Sequence, residues 1–517
     1  MDIDQIISTL VKARGLELNP PDPETLAEVL PKAKITAAHK LIQKHIAAGN
    51  QIAIYGDYDV DGICATAILW ENIHQTYSNV FPHIPHRQEE GYGLSTIGID
   101  HCLEKGAKLI ITADSGITAH EQIAYCRSRG CDIIVIDHHE PTDKLPKPNV
   151  LLYSKNTCAA GLSWFFCKDV PLFQREDEGR FKDQLALVSL AVICDMVPLL
   201  GVNRSLAKFG LQALNATTRP GLLALVAEAG LKPGEIGTYE VGFIIGPRIN
   251  AMGRLESALD SLRLLCTKIP ARASFLAQLL GNTNRTRQEL TELNVKHALS
   301  SIEVANMPNI LVVSDPTYEQ GIIGLIAAKL VEKHYRPAIA ISVGESESKG
   351  SVRSVAGFHI TDFLRQHQEL FINIGGHAMA AGFTIATTKI PELKTVLENS
   401  ASTAVTPQML FRQTRVDAEI PIDLVTMKLY ERLQELAPFG LGNPQPVFVS
   451  KQVPIANSRR FGSTNQHLRL DVSGLEAVWF NAPQIQIPKT ANFTYTIALH
   501  TYNLRTNLQL IIKQFSF

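Results

Sequence analysis

Three short apolar runs in the first third of the chain each end on an aspartate: QIAIYGD, KLIITAD and CDIIVID close at Asp57, Asp114 and Asp137. Stretches of helical spacing lie between them, and AAHKLIQKHIAAG before the first reads as a helix closed by Gly49. ATAILWENIHQ reads as a further helix and NVFPHIP as a short strand. Strands alternating with helices build a parallel sheet covered on both faces. Such sheets place their ligands at the carboxyl ends of the strands. The pattern therefore sets an α/β fold class and puts the chemistry where the three aspartates fall.

With 517 residues the chain exceeds one core, so two to four domains are expected. Residues 1–40 read as a lead segment and 41–265 as the first α/β domain. Within it, QLALVSLAVICDMV at 184–197 suits a buried helix, with a strand left open by period alone. Residues 271–305 lack proline and repeat Leu276, Leu279, Leu280, Leu290 and Leu293 at helical spacing, which predicts a connecting helix over about 266–306. NILVVSD, PAIAISV and the loop GGHAMAAGF mark a smaller α/β unit at 307–404. After the linker SASTAVTPQ, residues 405–517 turn alternating and β-rich, which predicts a C-terminal β-barrel of the OB-fold kind.

Composition narrows the function classes. Hydrophobic residues make up 45% and charged residues 19%, as in an ordinary soluble globular protein. The 49 basic and 50 acidic residues leave a net charge of -1, which excludes a protein held to nucleic acid by bulk charge but allows a local basic groove. Eight cysteines without a CxxC pair read as buried thiols in a reducing cytoplasm. The most apolar stretch is broken by Asp195 and Pro198, and the start MDIDQII lacks a basic region, so neither a membrane span nor a signal peptide is expected.

Four segments carry the chemistry. GDYDVDG packs Asp57, Asp59 and Asp61 between a buried strand and an apolar helix, where they repel one another unless a cation compensates. ITADSG presents Asp114, whose bland alternative is a helix N-cap. VIDHHEP adds Asp137, His138 and His139, imidazoles that suit transition metals with an acid to orient a ring. Asp195 sits in an apolar segment, where an unpartnered carboxylate costs several kcal/mol unless it bonds to backbone. About six carboxylates and two imidazoles are the inventory of a site for two hard divalent ions, Mn²⁺ or Mg²⁺. Asp114 is the candidate bridge between them.

GDYDVDG, TADSG, DHH and the Asp195 segment, in that order, resemble the four motifs of the DHH phosphoesterase superfamily, and GGHAMAAGF resembles its DHH-associated domain. HRQEEGYGLS, GPRINAMGRLESA, YRPAIAIS and LAPFGLGNPQPVF are similar to stretches of its single-strand-specific 5′→3′ DNA exonucleases. The likeness runs from about residue 45 to the end. It implies metal ligands Asp57, Asp59, Asp61, Asp114, His138 and Asp195, and a catalytic group of His139, Asp137 and Asp114. It implies substrate contacts from Arg87, Tyr92, Arg248, Asn250, Arg254, Arg353 and Ser354, and from Gly375, Gly376 and His377. Tyr92 would stack on or block the terminal nucleotide, with a structural GYG turn as the alternative. Arg285 and Arg287 on the long helix would track the DNA backbone, or lie on its solvated face. Arg459, Arg460 and Phe461, read as a barrel loop, would hold the upstream strand.

The sequence departs from the family at Tyr55, where some relatives carry a histidine, at Glu319 in YEQGIIG and at Val352–Ser354. The implied activity is two-metal hydrolysis of single-stranded DNA to 5′-mononucleotides in recombination and repair. Single-stranded DNA is then the partner, a helicase or single-strand-binding protein is admitted beside it, and a monomer suffices. Two alternatives are an oligoribonucleotide or small-nucleotide phosphodiesterase and a catalytically silent nucleic-acid-binding scaffold. The β-rich tail disfavours the first, and the intact acidic motifs disfavour the second.

Overall fold

The computed structural model describes residues 2–173, 179–502 and 505–516. Two compact units divide the chain. One comprises Met1–Pro85, Tyr92–Gly246 and Thr414–Phe517; the other comprises His86–Gly91 and Pro247–Gln413.

In the first unit, β1 (Gln51–Tyr55), β2 (Val80–His83), β3 (Ala107–Ala113), β4 (Asp132–Asp137) and β5 (Val150–Tyr153) form one sheet in the order β2-β1-β3-β4-β5. Every pairing is parallel, as the alternation predicts. β5, from NVLLYS, is an addition to the strands read from sequence. Runs such as LIIT and IIVI are buried residue after residue because helices cover both faces. The segment left open as helix or strand is the helix Gly179–Cys194, and Asp195 follows its last turn.

The same unit holds the barrel. Its strands are β12 (Phe448–Phe461), β13 (His467–Val472), β14 (Leu475–Trp479), β15 (Thr490–Tyr502) and β16 (Arg505–Ser516). They run in the order β12-β13-β14-β16-β15, and β15 pairs back onto β12 to close the ring, the OB topology. A two-residue strand β11 (Ala418–Glu419) lies parallel to β12.

The segment read as a lead is built into this core. Asp2 caps the helix Ile3–Arg14, and Ile6, Ile7 and Leu10 join Leu429, Leu433, Phe448 and Tyr495 in one apolar cluster. Arg14 pairs with Asp417 at 3.0 Å, both side chains nearly sealed from solvent, and donates to Asn443 Oδ1 at 2.8 Å. Arg204, on the helix Gly201–Asn215, is 0% exposed. Its guanidinium donates to the carbonyls of Glu17, Leu436 and Ala437 at 2.8, 2.8 and 2.9 Å.

In the second unit, β6 (Leu311–Asp315), β7 (Ala338–Ser342), β8 (Glu347–Arg353), β9 (Asn373–His377) and β10 (Ala380–Ala386) form a mixed sheet in the order β6-β7-β8-β10-β9. The long helix Pro270–Ser300 has 31 residues. Among the described residues no helix is long and apolar enough to cross a membrane.

Candidate metal centre

Four segments converge at the carboxyl end of the parallel sheet. β1 runs into Gly56 and Asp57; Asp57 is 1% exposed and its Oδ1 accepts from the Tyr58 amide at 2.7 Å. Asp59 is the N-cap of the helix Val60–Thr76, accepting from the Gly62 amide at 3.0 Å. Asp61 lies in that helix's first turn, and both its oxygens accept at 2.7 Å from the amides of Ala159 and Ala160. Those amides open the helix Ala159–Asp169, so a helix N-terminus offsets part of the cost of burying Asp61.

Asp114 follows β3 in the left-handed region at φ 69, and its amide donates to the Ile136 carbonyl at 3.0 Å. The next helix starts at His120, six residues on, so Asp114 is no N-cap. Asp137 ends β4. Its Oδ1 accepts from the amides of His138 and His139 at 2.7 and 3.1 Å and from His139 Nδ1 at 2.8 Å; its Oδ2 accepts from the Ile117 amide at 2.8 Å. Asp137 is thus spent on shaping the turn and orienting His139. The other ring nitrogen of His139 lies 3.3 Å from the Tyr92 hydroxyl.

His138 Nε2 faces three carboxylates: Asp114 at 3.2 Å and Asp61 and Asp195 at 3.5 Å each. At this centre, among the described residues, three groups have ligand atoms within 4.8 Å of one another: Asp57, Asp59 and Asp114; Asp114, His138 and His139; Asp61, His138 and Asp195. Asp114 belongs to the first two, the position expected of a bridge. Asp114 Oδ1 and His138 Nε2 are buried without a hydrogen-bond partner, atoms that a cation would satisfy.

The electrostatics agree. Burial, reinforced by Asp61, Asp59 and Asp195, pushes the Asp114 carboxyl well above the usual range. Burial also raises Asp61. Burial and the neighbouring Asp61 push Asp195 up to about 8. Burial lowers His138, which favours the neutral, ligating imidazole. His139 goes the other way: burial opposes its charge, but the Asp137 hydrogen bond and the charges of Asp137, Asp195 and Asp61 together outweigh it and raise the ring to about 9. Buried carboxylates that repel one another beside a neutral imidazole fit a pair of divalent ions.

Tyr55 lies outside this set. It is fully buried, and its hydroxyl donates to the Gly93 carbonyl at 3.1 Å. The first group of ligands is therefore drawn from Asp57, Asp59 and Asp114 without it. Gly62 and the Ala159–Ala160 amides are parts of the site that residue types do not reveal, because they act through backbone.

The expected substrate residues of the second unit divide. Arg87 Nε donates to the Gly253 carbonyl and Arg254 Nη1 to the Gly321 carbonyl, both at 2.8 Å. Arg248 and Asn250 lie half-buried on the helix Gly246–Leu255. Arg353 ends β8 and donates to the Val352 carbonyl at 2.9 Å. Ser354 is buried, its hydroxyl donating to the Phe358 carbonyl at 2.7 Å, so it shapes the turn after β8. Gly375, Gly376 and His377 form the exposed edge strand β9, where a loop was expected. Glu319 is exposed beside a buried Tyr318.

Arg285 is exposed and Arg287 half-buried on the long helix. Arg459, Arg460 and Phe461 lie on strand β12, paired with Arg469, Leu468 and His467 of β13, where a loop was expected. Arg460 is committed to the Ala482 carbonyl at 3.1 Å, whereas Arg459 is exposed. Arg469 sits 5.3 Å over the Phe461 ring.

The sheet with its acid–imidazole cluster, the second mixed sheet and the closed barrel each match a known domain. Residues 51–191 match the DHH family N-terminal domain, 307–403 the DHHA1 domain and 416–514 the RecJ OB domain. The single-stranded-DNA-specific exonuclease RecJ of Thermus thermophilus is 31% identical over 497 residues, covering 95% of this chain and 71% of that protein. The chain belongs to the RecJ family. RecJ of Escherichia coli is 28% identical, with 99% of this chain and 96% of that protein covered. RecJ of Bacillus subtilis is 31% identical over 91% of this chain, which spans 62% of that protein's length. Among solved structures, Thermus thermophilus RecJ in complex with Mn²⁺ matches with TM-score 0.87 and 27% identity, over 99% of this chain and 76% of that one. A manganese-bound exonuclease RecJ matches with TM-score 0.63 and 31% identity, over 73% of this chain and 97% of that one.

Proposed function

We propose that this protein is a single-stranded-DNA-specific exonuclease that releases 5′-mononucleotides stepwise from a 5′ end, in DNA recombination and repair. The observation that carries the reading is the convergence of Asp57, Asp59, Asp61, Asp114, His138 and Asp195, with Asp114 shared by two of the ligand groups. Such a set holds two divalent ions, Mn²⁺ or Mg²⁺. When bound, the ions lower the pKa of a water and stabilise the oxygens of an in-line phosphoryl displacement.

The chain's own groups do the rest. Asp137 fixes the His139 ring, which stabilises charge developing on the phosphate. Tyr92, 62% exposed beside His139, meets the terminal nucleotide. Arg87, Arg248, Asn250, Arg254 and Arg353, with the β9 edge at Gly375, Gly376 and His377, take the phosphates. The barrel favours a polymeric substrate over a dinucleotide. A helicase or single-strand-binding protein that exposes the strand is the partner this activity calls for, with the enzyme a cytoplasmic monomer.

The test is digestion of single-stranded DNA labelled at either end, beside duplex, with Mn²⁺, Mg²⁺ or chelator. A 5′ label released first as mononucleotide, only with metal and only from the single strand, is the expected result. Release from the 3′ end, or equal cutting of duplex, overturns the reading.

A further inference from the structure

The segment Tyr239, Glu240 and Val241–Ile245 contains a π-helical turn over its last five residues. Such turns cost hydrogen-bond geometry and recur at functional sites. This one is wedged against the shoulder of the metal centre. Cys194 Sγ lies 3.7 Å from the Val241 carbonyl, and Gly242 has only van der Waals room, 3.8 Å, beside Ile193. Ile193 and Cys194 are the two residues before Asp195. Met196, the residue after it, is held at φ 56 with its side chain 64% exposed.

The outer side of this turn carries two aromatic rings. Tyr239 and Phe243 stack with centroids 5.1 Å apart and planes 26° from parallel. They are 62% and 71% exposed, so the stack's apolar surface faces water. Their i, i+4 spacing on the helical segment brings the rings together, and the pair leaves an apolar face open to a ligand. Flat, uncharged and apolar, the pair matches the face of an unpaired base, and base–aromatic stacking is how single strands are gripped without regard to sequence.

We propose that Tyr239 and Phe243 form a stacking platform for an unpaired nucleobase of the strand whose phosphate lies at the metal centre. The proposal rests on the exonuclease reading above and adds to it a subsite on the Asp195 side. The platform discriminates against duplex, since a paired base has no free face to offer. It is a binding element, so it acts on affinity and leaves the hydrolytic step alone.

The experiment compares wild type with Phe243→Ala, the double variant with Tyr239→Ala, and Phe243→Trp. Affinity for a single-stranded oligothymidylate is read by fluorescence anisotropy with Ca²⁺ in place of Mn²⁺; KM and kcat are then read with Mn²⁺. The double variant should bind roughly 10-fold or more weakly, with KM raised to match and kcat unchanged. Phe243→Trp should keep wild-type affinity. An oligomer of abasic residues removes the stacking partner, so on it wild type and double variant should bind alike. Unchanged affinity in the double variant overturns the platform. An equal loss on abasic and normal strands also overturns it. A wild type that neither binds nor cuts the strand brings down the exonuclease reading itself.

Discussion

Gly62 shows how closely the metal centre is built. A Cβ there would lie 2.6 Å from the Asp57 backbone nitrogen and Cβ. Any side chain at Gly62 pushes Asp57 off its position. Gly62→Ala should therefore lower stability by about 1–3 kcal/mol and weaken Mn²⁺ binding, read by thermal melting and calorimetric titration; unchanged affinity would show that Asp57 has slack. Asp114→Asn keeps the shape and removes the charge common to two ligand groups. Its activity should fall by more than the about 100-fold that loss of an outer-shell partner costs, with bound Mn²⁺ dropping from two ions towards one by equilibrium dialysis. Two ions and full activity in that variant would end the bridging role. The acids and imidazoles were legible in the sequence because their burial demands a cation. The Ala159–Ala160 amides that hold Asp61 were not, because every residue has an amide and only the fold selects which two point inward.

At the scale of elements, the parallel strands and the helices before and between them came through, while the glycine-rich and charged strands did not. Period and apolar runs mark β1, β3 and β4 because parallel strands are buried on both faces. The glycines at 375–376 read as a loop because glycine weakens strands in general; here an edge position tolerates them, and Gly376 takes φ 146. Arg459 and Arg460 read as a loop because paired charges are weak strand signals; here they extend β12 against Arg469 and Leu468 of β13. The join between β4 and the helix Lys32–Ala47 offers a pH test. Asp132 accepts from Lys44 Nζ at 3.0 Å and His45 Nε2 at 2.9 Å on one oxygen and from Asn149 Nδ2 at 2.7 Å on the other. Burial opposes the charge, but the His45 and Lys44 hydrogen bonds prevail and hold the carboxyl below its usual range. A depressed carboxyl stabilises the fold above its unfolded pKa, and that contribution is lost as pH falls through the folded value. Asp132→Asn should cost about 1–2 kcal/mol at pH 7, and the gap from wild type in urea melts should close below a pH of roughly 4. A gap independent of pH would assign the loss to packing.

Beside its apolar clusters, the first unit carries deeply buried polar contacts between distant parts of the chain. Arg204 gathers carbonyls from Glu17 and from Leu436 and Ala437, joining three distant parts of the chain. Arg204→Met leaves those acceptors dry and should lower stability by roughly 3 kcal/mol or more, seen as an early thermal transition in barrel and sheet together. A melt that matches wild type would mean that the apolar cluster alone joins them. Nothing in the sequence foretold this, because Ile6, Ile7 and Leu10 look like any amphipathic helix and their partners lie at the far end of the chain. The barrel was legible in the alternating tail; which strands meet to close it, β15 on β12, is a property of three-dimensional pairing.

The helix Ile3–Arg14 has a consequence for biogenesis. Arg14 finds Asn443 429 residues downstream, so during synthesis the helix leaves the ribosome long before the surface that will cover it has been translated. Its oily face must wait in the open until the last β-strands arrive. Such long-range closure slows folding and leaves the nascent chain open to aggregation until it is complete.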